Sequence, residues 1–247
     1  MEQSELVNKT KATAVGVGLA AGGMIAGTVL GLVFIVTVVL AGYDIGGELS
    51  PVVIFISIAS TQIGLFLIAI GYLYWTNRDL SFAKIRRPTK HDGILTVVGV
   101  VVIAVASAIL NYLISLLELD PANNIVGEVA ASSPEIFAAI FVMNWIFVAP
   151  AEELLFRGVI QSRIRESMSV WPSVFLAGTI FAVVHIPALT GGGIIAPLVG
   201  LAISGIVLGV VFEKSDSIVP VVLIHGLYNS LLFLEIFISE FGFASLM

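Results

Sequence analysis

The stretch PEIFAAIFVMNWIFVAPAEELLFRGVI, residues 134–160, decides the fold. On a helix rising about 1.5 Å per residue it is long enough to cross a hydrocarbon core about 30 Å thick. Its apolar residues do not alternate with polar ones as barrel strands require. Only helices and closed barrels satisfy their backbone groups in lipid, so the stretch reads as a transmembrane helix. Yet it holds Glu152, Glu153 and Arg157. Ionisable side chains in a span cost about 2.5–3.5 kcal/mol each on insertion scales, so these three are expected inside a bundle, with partners.

Outward from this stretch the same pattern recurs. Of the 247 residues, 58% are hydrophobic and 11% charged, against about 25% charged in ordinary soluble domains. The mean hydropathy is +1.09. The fold class is therefore all-α, a polytopic transmembrane helical bundle of about seven to eight spans. Seven are placed, at about 13 to 41, 51 to 75, 94 to 117, 134 to 160, 171 to 189, 194 to 212 and 217 to 238. The polar N-terminal ten residues precede an apolar run too long for a signal peptide, so the first span is expected to be kept. There is no cysteine, which excludes disulfides, thiolate metal sites and a cysteine nucleophile. The net charge of −6 and the confinement of basic residues to short connectors exclude nucleic acid as a partner. The expected partners are the lipid bilayer and whatever reaches the site within it.

Basic residues orient the bundle. The connector TNRDLSFAKIRRPTKHD contains Arg78, Lys84, Arg86, Arg87 and Lys90, and marks itself cytoplasmic by the positive-inside rule. Alternation then places the N-terminus, with Lys9 and Lys11, and the connector with Arg163 and Arg165 on that side too. The outward connectors carry Asp44, Glu48, Glu118, Asp120 and Glu128. An integral, multi-pass protein of the cell membrane with a cytoplasmic N-terminus follows. In span one, Gly18, Gly22, Gly23 and Gly27 lie at spacings that let helix backbones approach, and close packing within the bundle is expected.

The polar groups inside the spans form a pattern. Glu153 and Arg157 are four apart with the acid first, the favourable order for a pair on one helix face. Glu152 points about 100° away and faces elsewhere. His185 shares a face with Phe181 in span five, and His225 with Asn229 in the last span. Counted from the cytoplasmic edges, Glu152, His185, His225 and Asn229 lie about 12 to 21 Å deep. A carboxylate, two imidazoles and an amide in one layer can activate a water and stabilise an oxyanion, as amide hydrolysis requires. Either histidine alone reads more simply as a hydrogen-bonded link between helices. Gln62, Asn111, Asn144 and Glu235 are expected as interhelical hydrogen-bond partners or helix-end residues, with Asn144 near enough to line the same cavity. His91 reads as a solvated loop residue, and Glu135 as the watery outer edge of span four. Span six is assigned packing alone.

EELLFR (Glu152 to Arg157), FAVVH ending at His185, and HGLYN (His225 to Asn229) resemble, in order, the EExxxR, FxxxH and HxxxN motifs of a peptidase family. It is the CPBP family of intramembrane peptidases, the CAAX prenyl protease and bacteriocin-processing family, also called the ABI family. The resemblance covers roughly residues 134 to 238, which would be the peptidase core. Residues 1–133 would be N-terminal helices of the same single membrane domain. It implies an intramembrane endopeptidase, acting on a membrane-associated protein, in some members a prenylated CAAX-type one. Carried onto this sequence, it implies that Glu152 and His185 activate water, that His225 and Asn229 hold the oxyanion, and that Glu153 and Arg157 are structural. Family members are commonly labelled metallopeptidases, so the resemblance also admits a zinc ion on Glu152, His185 and His225. The spacing is unlike HExxH, and a metal-free mechanism is favoured. A non-catalytic scaffold or immunity factor of the same fold is the alternative. A proton- or ion-coupled transporter fits less well, because no inverted repeat or pair of broken spans is visible.

Overall fold

Caps and long apolar runs set the helix boundaries in the computed structural model, which describes residues 2–46 and 50–242. Helix α1 spans Glu2–Leu40 and α2 Pro51–Trp75. Ser50 caps α2 by accepting from the Val53 N–H, with Pro51 at the first helical position, where a missing N–H costs nothing. Helix α3, Lys90–Leu116, starts with a capping box between Thr89 and Asp92. A short α4, Ile125–Ala130, precedes the long α5, Pro134–Arg165. Then come α6, Val170–Val183, α7, Ile195–Ser215, and α8, Ile218–Phe241. A small sheet pairs Asn123–Asn124 antiparallel with Leu189–Thr190 and ties the α3–α4 and α6–α7 connectors together.

Among the described residues, seven helices are long and apolar enough to cross a membrane: α1, α2, α3, α5, α6 with its following turn, α7 and α8. The protein is an all-α, integral, multi-pass membrane protein, as the apolar runs imply. Several boundaries differ from the sequence reading, among them the end of α5, which runs on to Arg165. Helix α1 begins well before residue 13, because its polar first turns continue the helix, with an exposed Lys9–Glu5 pair at 2.6 Å. Helix α6 stops at Val183, and His185 sits beyond its end, before a 3₁₀ turn at Ile186–Ala188. Pro187 disfavours helical geometry at the residue before it. Helix α7 reaches Ser215 and so includes Glu213. The outward acid Glu48 lies outside the described residues.

Helix α5 is the axis of the bundle. Every residue from 151 to 162 is buried, as befits a helix surrounded by others. Its Leu155, Phe156, Val159 and Ile160 join one core with Leu65 of α2, Ile103 of α3, Phe181 of α6, Phe212 of α7 and Ile224 of α8. The helix is not uniform. Two π-helical stretches, Asn144–Val148 and Leu154–Gln161, flank an α-helical Ala149–Glu153. Pro150 explains the first: a proline ring clashes with the carbonyl four residues back, and a wider turn relieves that clash. The Ala149 N–H accordingly bonds to the Asn144 carbonyl, five residues back.

Helices α1 and α2 meet through glycine. Gly27 approaches the Thr61 backbone so closely that an added Cβ would lie 2.5 Å from its Cα, and a Cβ on Gly23 would lie 2.6 Å from Leu65 Cδ2. Gly64 of α2 packs in return on the backbone of Gly23 and Gly27. The close packing expected of this glycine run is present at Gly23 and Gly27, while Gly18 faces open space. At the connector side, Arg86 grips Asp92 with two bonds, at 2.8 and 2.9 Å, and also reaches the carbonyls of Ser215 and Asp216. It thereby ties the start of α3 to the end of α7. Gly27→Ala is expected to force α1 from α2 and to destabilise the fold by about 1–3 kcal/mol. The measurement is the unfolding midpoint in detergent, and an unchanged midpoint would refute this account of the contact.

Candidate active site

The two adjacent acids on α5 point to different partners. Glu153, fully buried, accepts through Oε1 from Arg157 Nη1 at 2.9 Å and from His225 Nδ1 at 2.7 Å. Arg157 is 1% exposed. Its second nitrogen donates to the Gly205 carbonyl of α7 at 3.2 Å, and its guanidinium carbon lies 4.4 Å from the centre of the Phe181 ring. The Gly205 carbonyl is within reach because α6 and α7 cross closely there: a Cβ on Gly205 would lie 2.9 Å from Gly178 Cα. The expected pairing of Glu153 with Arg157 is thus present, and His225 is its third member.

Glu152, 6% exposed, turns the other way. Its Oε1 accepts from Gln62 Nε2 of α2 at 3.0 Å. Its Oε2 has no hydrogen-bond partner and lies 3.7 Å from His185 Nε2 and 3.9 Å from His225 Nε2. The tautomers follow from the other ring nitrogens. His185 Nδ1 is 2.7 Å from the Phe181 carbonyl, which can only accept, so Nδ1 carries the proton. His225 Nδ1 likewise faces the Glu153 carboxylate. In the neutral rings, both Nε2 lone pairs therefore face Glu152 Oε2. These three atoms are acceptors about one space, and a water molecule there, with two protons to give, donates to two of them at a time.

Phe181 accounts for its four-residue spacing from His185. Its carbonyl fixes the imidazole, its ring packs on that imidazole at 4.6 Å between centres, and its edge meets His225 at 6.1 Å. Asn229 joins less directly. Its Nδ2 donates to Asn144 Oδ1 at 3.0 Å, while Asn144 Nδ2 donates to the Gly226 carbonyl at 3.0 Å. Trp145 Nε1 bonds Ser230 Oγ at 3.1 Å. The first π-helical turn of α5 is in this way fastened to α8 beside the site. The structure brings Glu152, Glu153, Arg157, His185 and His225 into one connected group, with Asn229 attached through Asn144. Among the described residues no group of three or more His, Asp or Glu side chains is drawn together tightly enough to hold a metal ion.

Other residues fall in places that the sequence did not assign. Gln62 is an interhelical partner, as expected, but its partner is Glu152. The signal was an amide in the middle of span two. The packing-only reading of span six is overturned by a ladder of α5 side chains on α7: Arg157 on the Gly205 carbonyl, Gln161 on the Gly209 carbonyl and Glu213, and Arg165 on Glu213. Both partners advance in steps of four, which both sequences show once the helices are known to be adjacent. Asn111 and Glu235 are exposed on α3 and α8, away from the group.

The helices bury a carboxylate between two imidazoles, in a polytopic bundle whose spans are long and apolar enough to cross a membrane. Residues 134–231 match the family model described as type II CAAX prenyl endopeptidase Rce1-like. The matched segment opens with the first residue of α5 and ends within α8, so it holds all three motifs. No curated protein and no solved structure gives a match.

Removing one member of a buried ion pair costs about 3–5 kcal/mol, because a charge is left unpaired. Arg157→Met is expected to destabilise by that amount in chemical unfolding, and Glu153→Met combined with Arg157→Met to recover most of it. A double variant no more stable than Arg157→Met alone would contradict the pairing.

Proposed function

We propose that the protein is an intramembrane endopeptidase that hydrolyses a peptide bond in a membrane-associated substrate of the CAAX type. The observation that carries this reading is the free Glu152 Oε2 facing two imidazole nitrogens at 3.7 and 3.9 Å, within the segment that matches the Rce1-like family model. In the reaction, a water held by Glu152, His185 and His225 gives a proton to Glu152 Oε2 as its oxygen attacks the carbonyl carbon. The resulting oxyanion is met by the remaining N–H of Asn229 and by His225, whose Nε2 takes the water's first proton on from Glu152 Oε2. That first proton passes back through Glu152 to the amide nitrogen and the C–N bond breaks; His185 takes the second proton from the new carboxyl group and gives it to the amine, so that a carboxylate and an amine leave. Glu153 and Arg157 are structural: they hold the His225 ring at its angle.

Residues 1–133 serve as the framework and 134–238 as the peptidase core. The N-terminus and the connector between α2 and α3 face the cytoplasm of the cell membrane, and the site opens toward proteins anchored there. Support comes from the positions of Arg78, Lys84, Arg86, Arg87 and Lys90.

Glu152→Ala is expected to abolish cleavage of a farnesylated CAAX-type peptide by the purified protein, with a loss of at least about 10²–10⁴-fold and an unchanged unfolding midpoint. Cleavage that survives the substitution would refute the role given to Glu152. Exhaustive chelation is expected to leave the rate unchanged; a total loss reversed by zinc would require a metal on Glu152, His185 and His225 instead.

A further inference from the structure

We propose that Gln62 of α2 is a positioning residue for the Glu152 carboxylate, one that selects Oε2 as the oxygen that takes the proton from water. This inference rests on the assignment of Glu152 as the base. It also extends the site beyond the matched segment, into helices that carry none of the three motifs.

A carboxylate has two equivalent oxygens and a terminal torsion that is broad and only roughly two-fold, so burial alone does not fix its plane. Something must hold one oxygen for the other to have a defined direction. The available donors are otherwise committed. Arg157 Nη1 and His225 Nδ1 both go to Glu153, and His185 Nδ1 goes to the Phe181 carbonyl. Among the described residues, Gln62 Nε2 is the one donor that reaches Glu152, at 3.0 Å on Oε1. With Oε1 held, Oε2 is the atom left facing both imidazoles.

Packing does not account for this glutamine. Gln62 is 6% exposed, and its Oε1 is buried without a partner, a cost that Met or Leu of similar volume would not incur. The side chain is also held from behind. Thr61 and Gly64, on either side of it in sequence, are the residues through which α2 meets Gly23 and Gly27 of α1. The glycine contact thereby fixes how far α2, and with it the amide, stands from α5.

The test is Gln62→Met, which keeps volume and apolar fit but removes the donor. Loss of a hydrogen bond to a charged group corresponds to a fall of about 10- to 100-fold in kcat, with KM and the unfolding midpoint unchanged. Wild-type kcat, or a loss that appears only with a lowered midpoint, overturns the proposal. Should the Met variant fail to fold, Gln62→Asn keeps the amide but falls short by one methylene, and the same fall in kcat is expected. A readout independent of substrate is the infrared carboxylate band identified by its disappearance in Glu152→Gln. That band shifts in Gln62→Met if the amide holds Glu152, and an unmoved band overturns the proposal even where no peptide is cleaved. Cleavage retained by Glu152→Ala removes the assignment of the base itself. An inactive Glu152→Ala beside a fully active Gln62→Met removes only the role of Gln62.

Discussion

A single carboxylate oxygen, Glu153 Oε1, receives both Arg157 and His225, at 2.9 and 2.7 Å, in a place without solvent. The rest of the site depends on that junction. A charge at this depth is tolerable only if it is paired and hydrogen-bonded. The pairing recruits three helices: α5 supplies the acid and the arginine, α8 the imidazole, and α7 the Gly205 carbonyl that takes the second guanidinium nitrogen. Phe181 of α6 closes the arrangement under the guanidinium. What looks in sequence like an expense is the joint that sets α5, α6, α7 and α8 around one point.

Because Glu153 is consumed by this joint, Glu152 is released from it. Adjacent residues on a helix point about 100° apart, so the second acid meets groups of its own, Gln62 on one side and His185 on the other, and shares only His225 with Glu153. His225 belongs to both sets, one nitrogen on each carboxylate. The π-helical turns on either side of Ala149–Glu153 mark α5 as locally reshaped at this point, as is frequent where a helix carries a functional group. Asn144, in the first of those turns, places its amide against α8 and Asn229.

Much of this was legible in the chain. Runs of apolar residues longer than any soluble core needs fix the seven spans, and the four-residue spacing of Glu153 and Arg157 fixes their pairing. The spacing also implies that Glu152 is the acid left over, and the structure gives it Gln62 and His185, with His225 shared between the two acids. The rest required contacts distant in sequence. Nothing near Gln62 indicates that α2 delivers it to Glu152. Helix α7 looks inert until its carbonyls at Gly205 and Gly209 are seen to take Arg157 and Gln161, since a backbone acceptor leaves no trace in a hydropathy pattern. Pro150 announces a disturbance in α5, but not whether the helix kinks or widens. Pro187 hints at the early end of α6, yet the resulting position of His185, past the helix, depends on the turn that follows.

The account stands on a division of labour between two neighbouring glutamates. Its most direct measurement sets Glu152→Gln beside Glu153→Gln, with cleavage and unfolding recorded on the same purified samples. The expected result is a crossed one: Glu152→Gln folds as the parent does and does not cleave, while Glu153→Gln loses stability because Arg157 is left without its anion. Cleavage by Glu152→Gln, or equal stability of the two variants, would contradict it.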